Sequence, residues 1–139
     1  MSFLVTADWQ SDWTNLSSCT QARKRIFEIC TAYNLEAVVF AGDVKDRYNP
    51  IDFRIIEFWI EFFNQLHQIR VTPIVVLGNH DRIGLYQDDR NWLPLLEKAG
   101  AKTFWYADTL KLKDCTLYIL PFMGTKERWD EATEWLANQ

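Results

Sequence analysis

Residues 73–81 read PIVVLGNHD, an apolar run that stops on a glycine and three metal-competent polar residues. Continuous rather than alternating hydrophobicity fits a strand with both faces covered. Two earlier stretches repeat the pattern: AVVFA at 37–41 runs into Gly42, Asp43 and Asp46, and FLVTA at 3–7 runs into Asp8 and Gln10. Between them lie two long segments with helical spacing, so the first 81 residues read as a parallel βαβαβ unit with helices on both faces of its sheet.

The first helix is expected over 16–33, opened by Ser18 with Gln21 at capping-box spacing, and with Ala22, Ile26, Ile29, Cys30 and Tyr33 on one face. Asn49-Pro50 reads as a cap followed by proline at the first helical position, starting a second helix that runs to about residue 68. That helix carries Ile51, Phe53, Ile55, Ile56, Phe58, Trp59, Ile60, Phe62, Phe63 and Leu66, apolar almost all round, which predicts burial on more than one side. Beyond residue 81 the expected order is a helix over 91–99 stopped by Gly100, a short strand over 103–106, a hairpin of 109–113 and 116–120 turning at Asp114, and a last helix over 126–137. The fold class is therefore α/β, a βαβαβ core passing into antiparallel strands, within one domain over 1–139.

At 139 residues and 48% hydrophobic, the chain can bury a substantial core. A net charge of -4 gives no general basic field, so contact with nucleic acid needs a local patch or a bound metal to offset phosphate repulsion. Cys19, Cys30 and Cys115 have no metal-binding spacing and read as reduced structural thiols. No signal segment or membrane span is visible, and the expected location is the cytoplasm.

In open α/β sheets ligands bind where the carboxyl ends of the strands meet. Three strands that each end on Asp, Gln, Asn or His therefore point to one shared site. Taken singly, each Asp is as well explained by a turn or a cap, and Gly42 and Gly78 by positive φ. Turn chemistry does not account for His80 set between Asn79 and Asp81. Asp and Asn oxygens suit hard or borderline divalent ions, two such ions can hold a phosphoryl group, and an imidazole can protonate the leaving alkoxide.

Asp8-x-Gln10, Gly42-Asp43 with Asp46, and Gly78-Asn79-His80-Asp81 resemble the first three motifs of the calcineurin-like metallophosphoesterases, written DxH, GDxxD and GNHD or GNHE. The chain is similar, more loosely, to the SbcD-type nucleases of double-strand-break repair and their phage relatives, through its spacing, its long second helix and the LEKAGA segment at 96–101. The resemblance implies an αββα sandwich, of which this chain is the N-terminal portion and an incomplete domain. It implies two divalent ions, Mn²⁺ in preference and Mg²⁺ as the alternative, with Asp8 on the first metal, Asp43 bridging, Asn79 on the second, and His80 contacting the scissile phosphate and protonating the leaving group. Asp46 would orient His80, or else pair with Arg47 or cap the next loop. It implies DNA as substrate, a homodimer through helix 51–66 unless that helix is simply buried in the chain, and an ATPase partner subunit of the SbcC type. Arg82 is the first candidate for a phosphate contact, Lys45 and Arg47 weaker ones; Trp9 and Trp13 either stack on an unpaired base or pack over the strand ends.

Two departures bear on activity. Gln10 stands where the motif has histidine, offering a neutral oxygen and shifting preference toward harder ions. The later histidine motifs are absent: the chain has two histidines, His67, read as an ordinary helix residue, and His80. The sequence thus carries half of a two-metal site, as a truncated, split or degenerate member. The rival functions are a small-molecule phosphodiesterase, a protein phosphatase, or a non-catalytic scaffold that keeps the fold.

Overall fold

A computed structural model describes residues 2–46, 50–83 and 90–139. Arg47 and Asn49, singled out above as a cation and a helix cap, lie outside the described residues. Strands β1 (Phe3–Thr6), β2 (Ala37–Ala41), β3 (Thr72–Val76) and β4 (Lys102–Phe104) form one parallel sheet in chain order. The register sets Val39 between Val5 and Ile74, and Val75 beside Thr103. Helices α1 (Leu16–Tyr33), α2 (Phe53–Gln68) and α3 (Leu93–Lys98) make the crossovers.

Because each strand is added on the same side of the one before it, right-handed crossovers place all three helices on one face. The core shows this directly: Val38, Phe40, Val75 and Leu77 pack with Ile26, Trp59, Phe62, Leu66 and Leu96. The opposite face, through Ala37, Val39 and Ile74, meets Leu110 and Ile119 of the antiparallel hairpin β5 (Asp108–Lys111) and β6 (Thr116–Ile119). The expectation of helices on both faces is therefore corrected. The continuous apolar runs do reflect two covered faces, but a second sheet supplies one cover. Helix α4 (Lys126–Ala137) reaches the far side of the hairpin, where Trp135 lies edge-on to Tyr118 with ring centroids 6.4 Å apart. The layers run helices, parallel sheet, hairpin, helix, the expected αββα order.

Local chemistry moves some boundaries. Helix α1 begins after Asn15, and Ser18 lies inside its first turn, so the predicted capping box does not form. Asn15 turns its amide to the preceding loop instead, accepting from Asp12 N at 2.8 Å and donating to Gln10 O at 2.9 Å. The buried face of α1 is Cys19, Ile26 and Cys30, while Tyr33 is exposed. Helix α2 starts at Phe53, capped by the Asp52 carboxylate, which accepts from Arg54 N at 2.9 Å. It is buried along one broad face by Ile55, Phe58, Trp59, Phe62, Phe63 and Leu66; Glu57, Ile60 and Glu61 face outward. Burial on more than one side is thus not observed, because α2 spends its aromatic residues on this chain's own sheet. His67 Nε2 contacts Gly100 O at 3.1 Å, a fold contact that fits its reading as an ordinary helix residue. All three thiols are free; Cys19 and Cys30 are buried, which pushes their pKa up, and Cys115 is exposed. No helix among the described residues is long and apolar enough to cross a membrane.

Candidate metal centre

The parallel order β1-β2-β3 brings the three motif loops to one edge of the sheet. Backbone hydrogen bonds continue the pairing past the strand ends: Asp8 N donates to Gly42 O at 3.3 Å, Gln10 N to Asp43 O at 2.8 Å, and Ser11 N to Val44 O at 3.1 Å. Asp8, Gln10 and Asp43 all have left-handed backbone, with φ of 52°, 41° and 52°. That conformation costs a non-glycine residue about 1 kcal/mol and collects at functional sites. The glycines serve different ends. Gly42, at φ 89°, makes the turn, whereas Gly78 leaves room: a Cβ there would lie 2.2 Å from Asp43 N and Oδ1. Of the two glycines expected to supply positive φ, only Gly42 does so.

Asp43 is the hub. His80 N donates to its Oδ1 at 2.9 Å. The Asn79 amide lies 3.0 and 3.2 Å from its two carboxylate oxygens. Turned one way, the amide nitrogen donates to Asp43. Turned the other way, three oxygen lone-pair groups converge, an arrangement that a hard cation relieves. The Asp43–Asn79 pair therefore fits one oxygen-ligated divalent ion, and the neighbouring Asp8–Gln10 loop offers a carboxylate and an amide to another. Among the described residues no three His, Cys, Asp or Glu side chains cluster as a metal-ligand group, and amides stand at positions 10 and 79.

His80 is turned by the second motif. Its Nδ1 contacts the backbone carbonyl of Asp46, with Asp46 Oδ1 farther off at 3.6 Å. A carbonyl can only accept, so this contact takes the hydrogen on Nδ1 and leaves Nε2 as the ring nitrogen outside it. Asp46 thus faces His80 as expected, but its main chain makes the shorter contact.

Two residues that fasten this arrangement were not singled out by the sequence in that role. Asp81 is wholly buried; its Oδ1 accepts from Val44 N at 3.2 Å, Lys45 N at 3.4 Å and Trp92 Nε1 at 3.0 Å, and its Oδ2 from Gly78 N at 2.9 Å. One carboxylate thereby ties the second motif, the third motif and the residue before α3 together. Burial pushes its pKa up, against the bonds from Gly78 and Trp92 and the nearby Lys45 charge. Lys45 is 2% exposed and donates through Nζ to the carbonyls of His80 and Arg82. Burial lowers its pKa to about 8, against the attraction of Asp81, Asp43 and Asp46. As a phosphate contact Lys45 is corrected: it braces the third loop from behind. The signal was present in its place between Val44 and Asp46, but a lysine's burial depends on what the fold puts over it.

Arg82 is also buried, at 1% exposure, and its side chain lines a cavity beside the third motif. Trp9 packs on Phe40, Trp59 and Phe62 and bonds Thr6 Oγ1 through Nε1, which corrects the base-stacking alternative for that residue. Trp13 is exposed, with the Arg54 guanidinium 5.4 Å from its ring centre. The structure thus brings Asp8, Gln10, Asp43, Asp46, Asn79 and His80 to one edge of the sheet and sets Arg82 inside the wall next to it.

No curated protein matches the chain. The family model described as calcineurin-like phosphoesterase matches residues 1–136, a span that includes every strand-end residue described above. The chain belongs to the calcineurin-like phosphoesterases, hydrolases of phosphoesters that work with divalent metal ions.

Proposed function

We propose that the chain carries the catalytic face of an SbcD-like phosphodiesterase acting on DNA, with Mn²⁺ or Mg²⁺ held by Asp8, Gln10, Asp43 and Asn79. The observation that carries this reading is the Asp43 hub, on which the Asn79 amide and the His80 backbone converge. Divalent ions bound there would supply Lewis acidity toward the phosphoryl oxygens and a nucleophilic water at neutral pH. The residues of the chain do the rest. Asp43 fixes the third loop, Asp46 O holds the imidazole by Nδ1, and Nε2 of the protonated ring gives its proton to the departing oxygen. The amide donors at positions 10 and 79 favour hard ions over later transition metals.

Purified protein should hydrolyse bis-p-nitrophenyl phosphate and DNA ends with Mn²⁺ and lose both activities in EDTA. His80→Ala should lower the rate by about 10²–10⁴-fold, the usual contribution of a general acid. Hydrolysis indifferent to both metal and His80 would end the proposal. Activity on bis-p-nitrophenyl phosphate without activity on DNA would keep the phosphodiesterase and discard the nuclease. A second reading, a scaffold that has lost its metals, is favoured by Gln10 and by the lack of a three-residue acidic or imidazole cluster among the described residues. Calorimetry with Mn²⁺ separates them, since the scaffold reading requires no binding.

A further inference from the structure

Beside the third motif lies a cavity of about 320 Å³, at the lower end of the range of small-molecule sites. Leu77 and Arg82, which bracket the motif in sequence, line its inner wall. Its outer walls come from Trp105 and Tyr106 where β4 ends, Phe122 after β6, and Trp135 of α4. Leu77 is bonded to both neighbours, its N donating to Phe104 O and its O accepting from Phe122 N, each at 2.9 Å. The cavity therefore lies at the carboxyl ends of β3 and β4, on the β4 side of the third motif.

We infer that this cavity receives a nucleobase of the phosphoester substrate, stacked among Trp105, Tyr106 and Trp135, with its polar edge read by Arg128 and Glu131. The inference rests on the phosphodiesterase reading above and adds a base-binding subsite to it. Trp105 and Tyr106 stand edge-on to each other, with ring planes 76° apart, so the pair offers an entering flat ring one face and one edge, and stacking of a base on an aromatic side chain contributes about 1–3 kcal/mol. Arg128, Glu131 and Trp135 recur at three- and four-residue intervals on α4 and all line the cavity, so stacking and polar groups share one helix face. A carboxylate and a guanidinium one turn apart offer an acceptor and a donor together. An alkyl chain or a plain phenyl ring can use neither, whereas guanine presents N–H donors on one edge and O6 and N7 acceptors on another. Tyr106, 62% exposed, stands at the rim where such a ring would enter.

The test uses the whole chain in EDTA with guanosine, which carries no phosphate, and follows the indole N–H signals of the seven tryptophans by NMR. Trp105 and Trp135 should shift saturably while Trp9 and Trp59, in the core, stay still. Phenyl phosphate at equal concentration should leave all seven unmoved. Glu131→Gln, at a solvent-facing position that folding does not depend on, should weaken guanosine binding on the order of tenfold. Trp135→Ala should abolish it. Absence of a saturable shift, an equal response to phenyl phosphate, affinity unchanged in Glu131→Gln, or binding that survives Trp135→Ala overturns the inference. Because neither metal nor phosphate is present, failure of hydrolysis in the earlier assay leaves this result standing, and failure here leaves the metal-dependent reaction standing.

Discussion

At the scale of single residues, the strand-end polar cluster was legible because turn chemistry rarely places a short polar side chain at the end of three successive apolar runs. Asp43 and His80 meet as the spacing suggests. The brace behind them was hidden, since the sequence does not say that Asp81 will accept four hydrogen bonds or that Lys45 will be buried. Two predictions belong here. Gln10→His should raise affinity for Zn²⁺ or Co²⁺ by roughly tenfold or more, a scale on which even outer partners of a metal act; titration calorimetry with each ion reads it, and unchanged affinity would mean that position 10 does not reach the ion. The second concerns pH. Lys45 has a folded pKa of about 8 against an ordinary 10.5. Between those values the unfolded chain holds a proton that the folded chain lacks, so stability of the metal-free protein should rise with pH over that window. Urea denaturation in EDTA should show the rise in the native protein and not in Lys45→Met; the same rise in the variant would remove Lys45 as its source.

Among the elements, α1 and α4 were readable from their periodicity and β2 from its length, and their observed spans coincide with the expected ones. The starts of helices were less readable. Asn15 rather than Ser18 stands at the entry of α1, and Asp52 caps α2, because the choice among nearby polar residues depends on what the preceding loop must bond. The attachment of α2 to the first motif loop was not legible at all. Trp59 Nε1 donates to Ser11 Oγ at 2.9 Å, and Ser11 Oγ in turn donates to Val44 O. This relay runs from the helix through the first loop to the second. Ser11→Ala should cost about 1–3 kcal/mol by stranding a buried indole N–H. With Trp59→Phe, the double variant should lose less than the sum of the two, by about 1 kcal/mol. Strict additivity in denaturant unfolding would show that the relay is not a unit.

For the whole molecule, the sequence revealed a parallel core but not the cover on its second face, since an apolar run reads the same under a helix or a hairpin. A two-stranded hairpin of four-residue strands has little stability of its own. It holds its place by burying Leu110 and Ile119 against Ala37, Val39 and Ile74. Ile119→Ala should therefore cost about 2–5 kcal/mol, and amide exchange should quicken across β5 and β6 well before β2 and β3; uniform quickening of all four strands would show that the two sheets open as one. The left-handed backbone at Asp8, Gln10 and Asp43 has a consequence at this scale too. Evolution toward thermal tolerance alone would exchange Asp8 and Gln10 for glycine and gain about 1 kcal/mol at each, while Asp43, whose carboxylate accepts from His80 N, would be kept. In a library sorted only for heat resistance, substitutions gathering at positions 8 and 10 would trace the first-motif loop by what the population discards.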